Sequence, residues 1–269
     1  MQSSVLDRYV FRHSPVHTLD PRVKLLVTVG FILGNVLLPD GAWLAFALSW
    51  VLTVAVSALA ELGPGFAARR SFIALPFMLA TASVIFAVPG EPLARWEIFG
   101  RAVTVTDAGM VRFASLMLRT WLSVQMAILL TATTAFPDLT HAMRHLKVPA
   151  VLVAIISFMY RYLFVLADEA QRLLRARVSR SAALPGQKAG GSLLWRARVA
   201  GNMAGQLLLR SLDRADRVYL AMVSRGYRGQ LLTMTHHTMT PRDWQWSALA
   251  LAALLLIQLV GRYGKLHLE

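Results

Sequence analysis

Long apolar runs alternate with short polar breaks along the first half of the chain. They give way to a basic, helix-patterned stretch before one last apolar run. A membrane-crossing helix needs about 20 mostly apolar residues. Runs that approach this length are 23–38, stopped by Pro39-Asp40-Gly41; 42–60, without a charge; 72–88, ended by Pro89-Gly90; and 111–136, with Arg112 and Arg119 near its start. The last is 244–260, with Trp244 and Trp246 at one end and Tyr263 at the other, where interface anchors sit. The pattern predicts an all-α polytopic membrane protein with about five transmembrane helices. It divides into a membrane section 1–136, a polar helical section 137–243 with two long amphipathic helices, and a final helix and tail 244–269.

One further run, 149–167, is apolar and long enough to span, but Arg161 interrupts it. An arginine at mid-bilayer is costly. Charge decides the expectation. The chain carries 28 Lys+Arg against 14 Asp+Glu. Four of these cations lie in 1–24, two in 61–71, sixteen in 137–243, two in 89–110 and none in 39–41. Five spans with the N-terminus inside place 22 of the 28 on the cytoplasmic side, as the positive-inside rule requires. A sixth span at 149–167 would put most of the basic block outside. The expectation is therefore that 149–167 lies along or just beneath the membrane. Topology also accounts for the basic excess without nucleic acid. Hydrophobic residues make up 56% of the chain, and there is no cysteine, which excludes disulfides and thiolate metal sites. The first 24 residues hold Pro15 and Pro21 and no apolar run, so no cleavable leader is expected.

Within 137–243, Asp138 is placed to cap a short helix through about Lys147. Pro149 opens the next, which runs to about Ser181 with Asp168 and Arg172 one turn apart. Pro185-Gly186 breaks it, and Gly190-Gly191-Ser192 makes a joint. A third helix covers about 193–224. Its Leu208, Leu212, Ala215, Tyr219 and Met222 share a face, and Gly226 stops it.

Both long helices end on an arginine between small residues: Ser179-Arg180-Ser181 and Ser224-Arg225-Gly226. Small neighbours let another surface approach the backbone, and a guanidinium then makes several directed hydrogen bonds. Each motif alone also fits a solvated arginine favoured by the helix dipole. Asp20-Pro21-Arg22, just before the first run, reads either as an interface or as a helix start, with Asp20 as cap and Arg22 and Lys24 as membrane-surface anchors. His141 and His145 stand one turn apart, but no further ligand has a helpful spacing, and His236-His237 offers less; no metal site is expected.

Three stretches, 19–25 (LDPRVKL), 159–172 (MYRYLFVLADEAQR) and 221–229 (AMVSRGYRG), resemble the transmembrane T component of energy-coupling factor (ECF) transporters, in its cobalt-type CbiQ branch. The resemblance implies that Arg180 and Arg225 each dock into one cytoplasmic ATPase subunit. The family pattern begins with Ala where both motifs here begin with Ser. Arg177 is a rival for the first position, although Val178 beside it is not small. The resemblance further implies a coupling or structural role for Asp20, Pro21, Arg22, Arg161 and Glu169. It implies a substrate-binding S component (CbiM-like) as partner, with a small accessory membrane subunit, and ATP and Mg held by the ATPase rather than by this chain. It implies a bacterial inner-membrane location and cobalt or nickel as cargo, with a vitamin as alternative. Against a membrane enzyme, the chain lacks the Gly-x-Ser-x-Gly, His-Glu-x-x-His and Walker A patterns. A stand-alone secondary transporter would show broken helices with polar residues at the midplane, whereas 23–38 and 42–60 read as smoothly apolar.

Overall fold

The computed structural model describes residues 9–98, 101–181, 191–229 and 239–266. They are helical apart from short connections and one hairpin. The chain separates into two compact units, residues 2–142 with 236–269, and residues 143–235.

The first unit holds α1 (Pro15–Thr18), α2 (Pro21–Leu37), α3 (Trp43–Leu59), α4 (Phe66–Ser71), α5 (Leu75–Ala80), α6 (Val84–Ala87), α7 (Asp107–Thr133), most of α8 (Phe136–His145) and α11 (Pro241–Leu266). Helix α2 starts where the residue types demand. The Asp20 carboxylate accepts the Arg22 N–H at 2.8 Å, and Pro21 occupies the first turn, where its missing N–H costs nothing. Helix α7 packs against α2, α3, α4 and α6, and α11 packs against α2 and α3. Phe31, Phe46, Leu122, Met126, Leu129 and Ile257 meet in the resulting core. Gly261 permits the approach of α11: a Cβ there would lie 2.5 Å from Leu38 Cδ2. Many large apolar side chains, among them Leu33, Leu44, Val51, Phe77 and Leu255, remain exposed on the outer faces of these helices. Such a surface suits lipid rather than water.

The apolar run 72–88 is not one smooth helix. It belongs to a segment, 66–87, in which 3-10 turns at 72–74 and 81–83 separate α4, α5 and α6. The first turn precedes Pro76, whose ring cannot tolerate a regular turn before it. At the second, the Thr81 hydroxyl donates to the Met78 carbonyl at 2.6 Å, competing with the backbone ladder. The fourth run ends at Thr133 rather than 136, because Thr134 turns extended. The last helix is longer than 244–260. Between α6 and α7, strands β1 (Pro92–Ile98) and β2 (Arg101–Thr106) form an antiparallel hairpin, where the sequence shows only weak alternation from 101.

The runs 23–38 and 42–60 also hide polar contacts. Ser49 donates its hydroxyl to the side-chain amide oxygen of Asn35 at 3.1 Å, and Gln258 of α11 donates to the Gly34 backbone carbonyl at 2.6 Å. Arg119 donates from Nη2 to Asp40 at 2.7 Å and to the Leu38 carbonyl at 2.5 Å, which gives a mostly buried cation inside α7 a counter-charge and ties down the α2–α3 turn.

The second unit holds α9 (Ala150–Arg180) and α10 (Leu193–Ser224). By length and composition α9 is able to cross a membrane, as are 66–87, α7 and 241–263, while α3 is a shorter apolar helix. These four or five apolar helices make the chain a multi-pass membrane protein.

Candidate partner-docking site

Both arginine motifs sit at helix ends. Arg180 is the last residue of α9, and Arg225 is the C-cap of α10; both are exposed. The serine before each arginine turns its hydroxyl back to the carbonyl three residues earlier: Ser179 to Ala176 and Ser224 to Ala221, each at 3.0 Å. Neither hydroxyl therefore projects past the helix end, and the guanidinium is the group left outward. The terminations differ. Ser181 closes α9 by donating its hydroxyl to the Arg177 carbonyl. After α10, Gly226 adopts φ +81°, its N–H donates to Val223 and that of Tyr227 to Met222. This is the Schellman closure, in which the left-handed position favours glycine. Arg177 begins the last turn of α9 and is half-buried, whereas Arg180 ends that turn and is exposed.

Glu169 of α9 and Arg210 of α10 form a short ion pair. From it, a single apolar groove of about 590 Å³ extends back along α9 past Leu166, Tyr162 and Phe158 to Val151. On the other wall it runs forward along α10 past Ala215, Tyr219 and Met222. The two helices thus run in opposite senses, and the two arginines stand at opposite ends of the pair. Arg180 lies eleven residues beyond Glu169 and Arg225 fifteen beyond Arg210. At 1.5 Å per helical residue the ends are up to about 39 Å apart along the axis.

Several expected placements change. Leu208 and Leu212 are exposed and do not line the groove; Ser211, Arg214 and Val218 do. Both sets have helical spacing, so periodicity alone cannot choose between adjacent stripes. Asp168 and Arg172 form no ion pair; both are exposed, where holding two long side chains together gains little. Arg161 is exposed and off the groove. Asp138 is inside the first turn of α8 rather than its cap, since the helix starts at Phe136. His141 is buried while His145 is exposed, and among the described residues no group of three or more His, Asp or Glu is placed to hold a metal. His236, His237, Pro185, Gly186 and Gly190 lie outside the described residues; Ser192 caps α10 by accepting the Trp195 N–H at 3.3 Å.

In the first unit, Asp20 is buried and does more than cap. Its own N–H donates to Asp243 of α11 at 3.2 Å, and Asp243 also accepts from the Thr240 N–H and hydroxyl. Lys24 is not a surface anchor. It is buried, and its ammonium donates to the carbonyls of His17 and Thr133, both at 3.1 Å. The starts of α2 and α11 and the end of α7 are thereby tied together. Beside them the His17 ring accepts from the Ser14 hydroxyl and donates to the Val10 carbonyl, and burial holds its pKa below the ordinary 6.5.

The family model described as CbiQ, cobalt transport protein, matches residues 12–237. Two similar proteins carry the name energy-coupling factor transporter transmembrane protein EcfT. That of Acidaminococcus fermentans is 28% identical over 269 residues, covering 96% of this chain and 97% of its own. That of Thermanaerovibrio acidaminovorans is 29% identical over 259 residues, covering 91% of each. With the apolar helices, these relatives place the chain in the bacterial cell membrane as a multi-pass protein. The chain belongs to the CbiQ family, the transmembrane T components of ECF transporters.

Proposed function

We propose that this chain is the non-catalytic coupling subunit of an ATP-driven importer, joining two cytoplasmic ATPase subunits to a separate substrate-binding membrane protein. The observation that carries the reading is the placement of Arg180 and Arg225, exposed at the ends of two helices that run in opposite senses. Two outward guanidiniums on small-residue ends suit two copies of one groove-bearing partner. ATP and Mg belong to that partner. The groove between α9 and α10 presents apolar side chains to the substrate-binding subunit. Closing the ATPase pair on ATP binding shifts α9 against α10, and the groove passes the movement on.

In this reading the N-terminus and 137–243 are cytoplasmic and α9 stays out of the bilayer core. The sixteen cations of 137–243 support that placement. Cobalt or nickel is the proposed cargo, supported by the description of the matching family and by the resemblance at 159–172, and a small accessory membrane subunit accompanies a CbiM-like partner. A vitamin importer is the second reading, since the names of the EcfT relatives carry no cargo.

Affinity purification of the tagged chain from its native membrane tests the function. Mg-dependent ATP hydrolysis should appear in the eluate with a co-purifying ATPase and be absent from the chain purified alone. Hydrolysis by the chain alone, or an eluate without an ATPase, contradicts the reading.

A further inference from the structure

The groove between α9 and α10 is apolar along its length, yet one charged residue lines it, Arg214. Arg214 is half-buried, and no hydrogen bond or ion pair within the described residues engages its guanidinium. Three tyrosines, Tyr162, Tyr219 and Tyr227, also line the groove, and none of their hydroxyls makes a hydrogen bond within the described residues. Among the described residues no carboxylate lines it. The groove therefore offers a long apolar bed with one unanswered cation and unused phenolic donors. A purely hydrocarbon occupant would leave a desolvated guanidinium without a counter-charge, which is costly. An occupant bearing one acidic side chain at that height answers it, with the planar fork of the arginine fixing its register.

We propose that the groove takes an apolar helix carrying a single carboxylate, and that Arg214 selects it. This rests on the coupling reading above, in which the groove faces a membrane partner. It assigns to Arg214 the choice and register of that partner, separate from the docking of the ATPase by Arg180 and Arg225.

The test uses the full chain in detergent and three fluorescent Leu/Ala-rich helical peptides of about 20 residues. They carry a central Glu, Gln or Lys, and binding is measured at pH 8, where the Glu stays ionised. The Glu peptide should bind at least about tenfold more tightly than the Gln peptide, and the Lys peptide least. Arg214→Gln should erase the preference while Arg214→Lys, which keeps the charge, retains part of it. Equal binding of the Glu and Gln peptides, a preference that survives in Arg214→Gln, or no peptide binding overturns the proposal. ATPase co-purification by Arg214→Gln is measured in parallel. Normal ATPase capture with no peptide preference sinks only the role of Arg214. Failure of the wild-type chain to capture an ATPase sinks the coupling reading beneath it.

Discussion

Glu169 and Arg210 form the ion pair between α9 and α10, at the point from which the two helices extend in opposite senses. The Glu169 side chain is 19% exposed and that of Arg210 55%, so the pair is partly screened. Glu169→Gln should cost only about 0.5–1 kcal/mol of stability. Its larger effect should be on coupling, because the pair fixes where the helices cross. ATP hydrolysis by the purified complex should persist while transport per ATP falls. Unchanged transport would mean that the crossing point is not held by this pair.

The same relationship sets the two arginine-bearing ends on opposite sides of the crossing, roughly 16 and 22 Å from it at 1.5 Å per residue, a gap that no disulfide spans. A lock belongs at the crossing instead. With cysteines at 169 and 210 in this otherwise cysteine-free chain, the uncrosslinked variant lacks the pair and should transport at the lowered rate; a short thiol crosslinker should then stop that remaining transport and leave assembly intact. Full transport with the crosslink complete would show that α9 and α10 need not move.

Asp20→Ala should destabilise the membrane unit. Loss of the cap costs about 1 kcal/mol. The Asp20 N–H still reaches Asp243, so the unit should fold, with a lower Tm in detergent. An unchanged Tm would show that the cap contributes nothing to the joint between α2 and α11.

Acid should weaken the same region. Burial favours neutral His17, so its folded pKa lies below 6.5. A lowered histidine pKa contributes stability that is full above the unfolded value. It is lost as pH falls from 6.5 toward the folded value, because the unfolded chain binds the extra proton first. Tm should therefore fall through that window in the wild type and fall less in His17→Gln. Parallel curves for the two proteins would remove His17 as the cause.

Much of the fold was legible because its signals are local. Asp20-Pro21 announces a helix start within three residues, and Gly226 announces the end of α10 through the one backbone conformation it tolerates best. The ends of α9 and α10 needed only helical periodicity and the neighbouring small residues. What was not legible depends on partners distant in sequence. Lys24 resembles a surface anchor until the carbonyl of Thr133, 109 residues away, is brought to it. Arg119 gains its meaning from Asp40, and Asn35 and Gln258 are hidden in apolar runs because their partners lie on other helices. The groove face of α10 was not legible for the same reason: Leu208 and Leu212 share a face with Ala215, Tyr219 and Met222 yet lie off the groove, because what covers a helix is set by its neighbour, not by its own period.

Topology gives an independent check. Single cysteines at 12 and 198 should react with a membrane-impermeant thiol reagent only after the cell membrane is opened, and one at 91 should react in intact cells. Labelling at 198 from outside would mean that α9 crosses the bilayer.

The most direct measurement is the affinity of the ATPase for the wild-type chain, Arg180→Ala, Arg225→Ala and the double variant, in detergent. Truncating an arginine at a desolvated interface costs about 2–4 kcal/mol. Each single variant should therefore lose one of two docking contacts, the double variant should lose the ATPase altogether, and Arg177→Ala should bind nearly as the wild type does. A double variant that captures the ATPase as well as the wild-type chain, with its membrane unit folded, would contradict docking through the two helix ends.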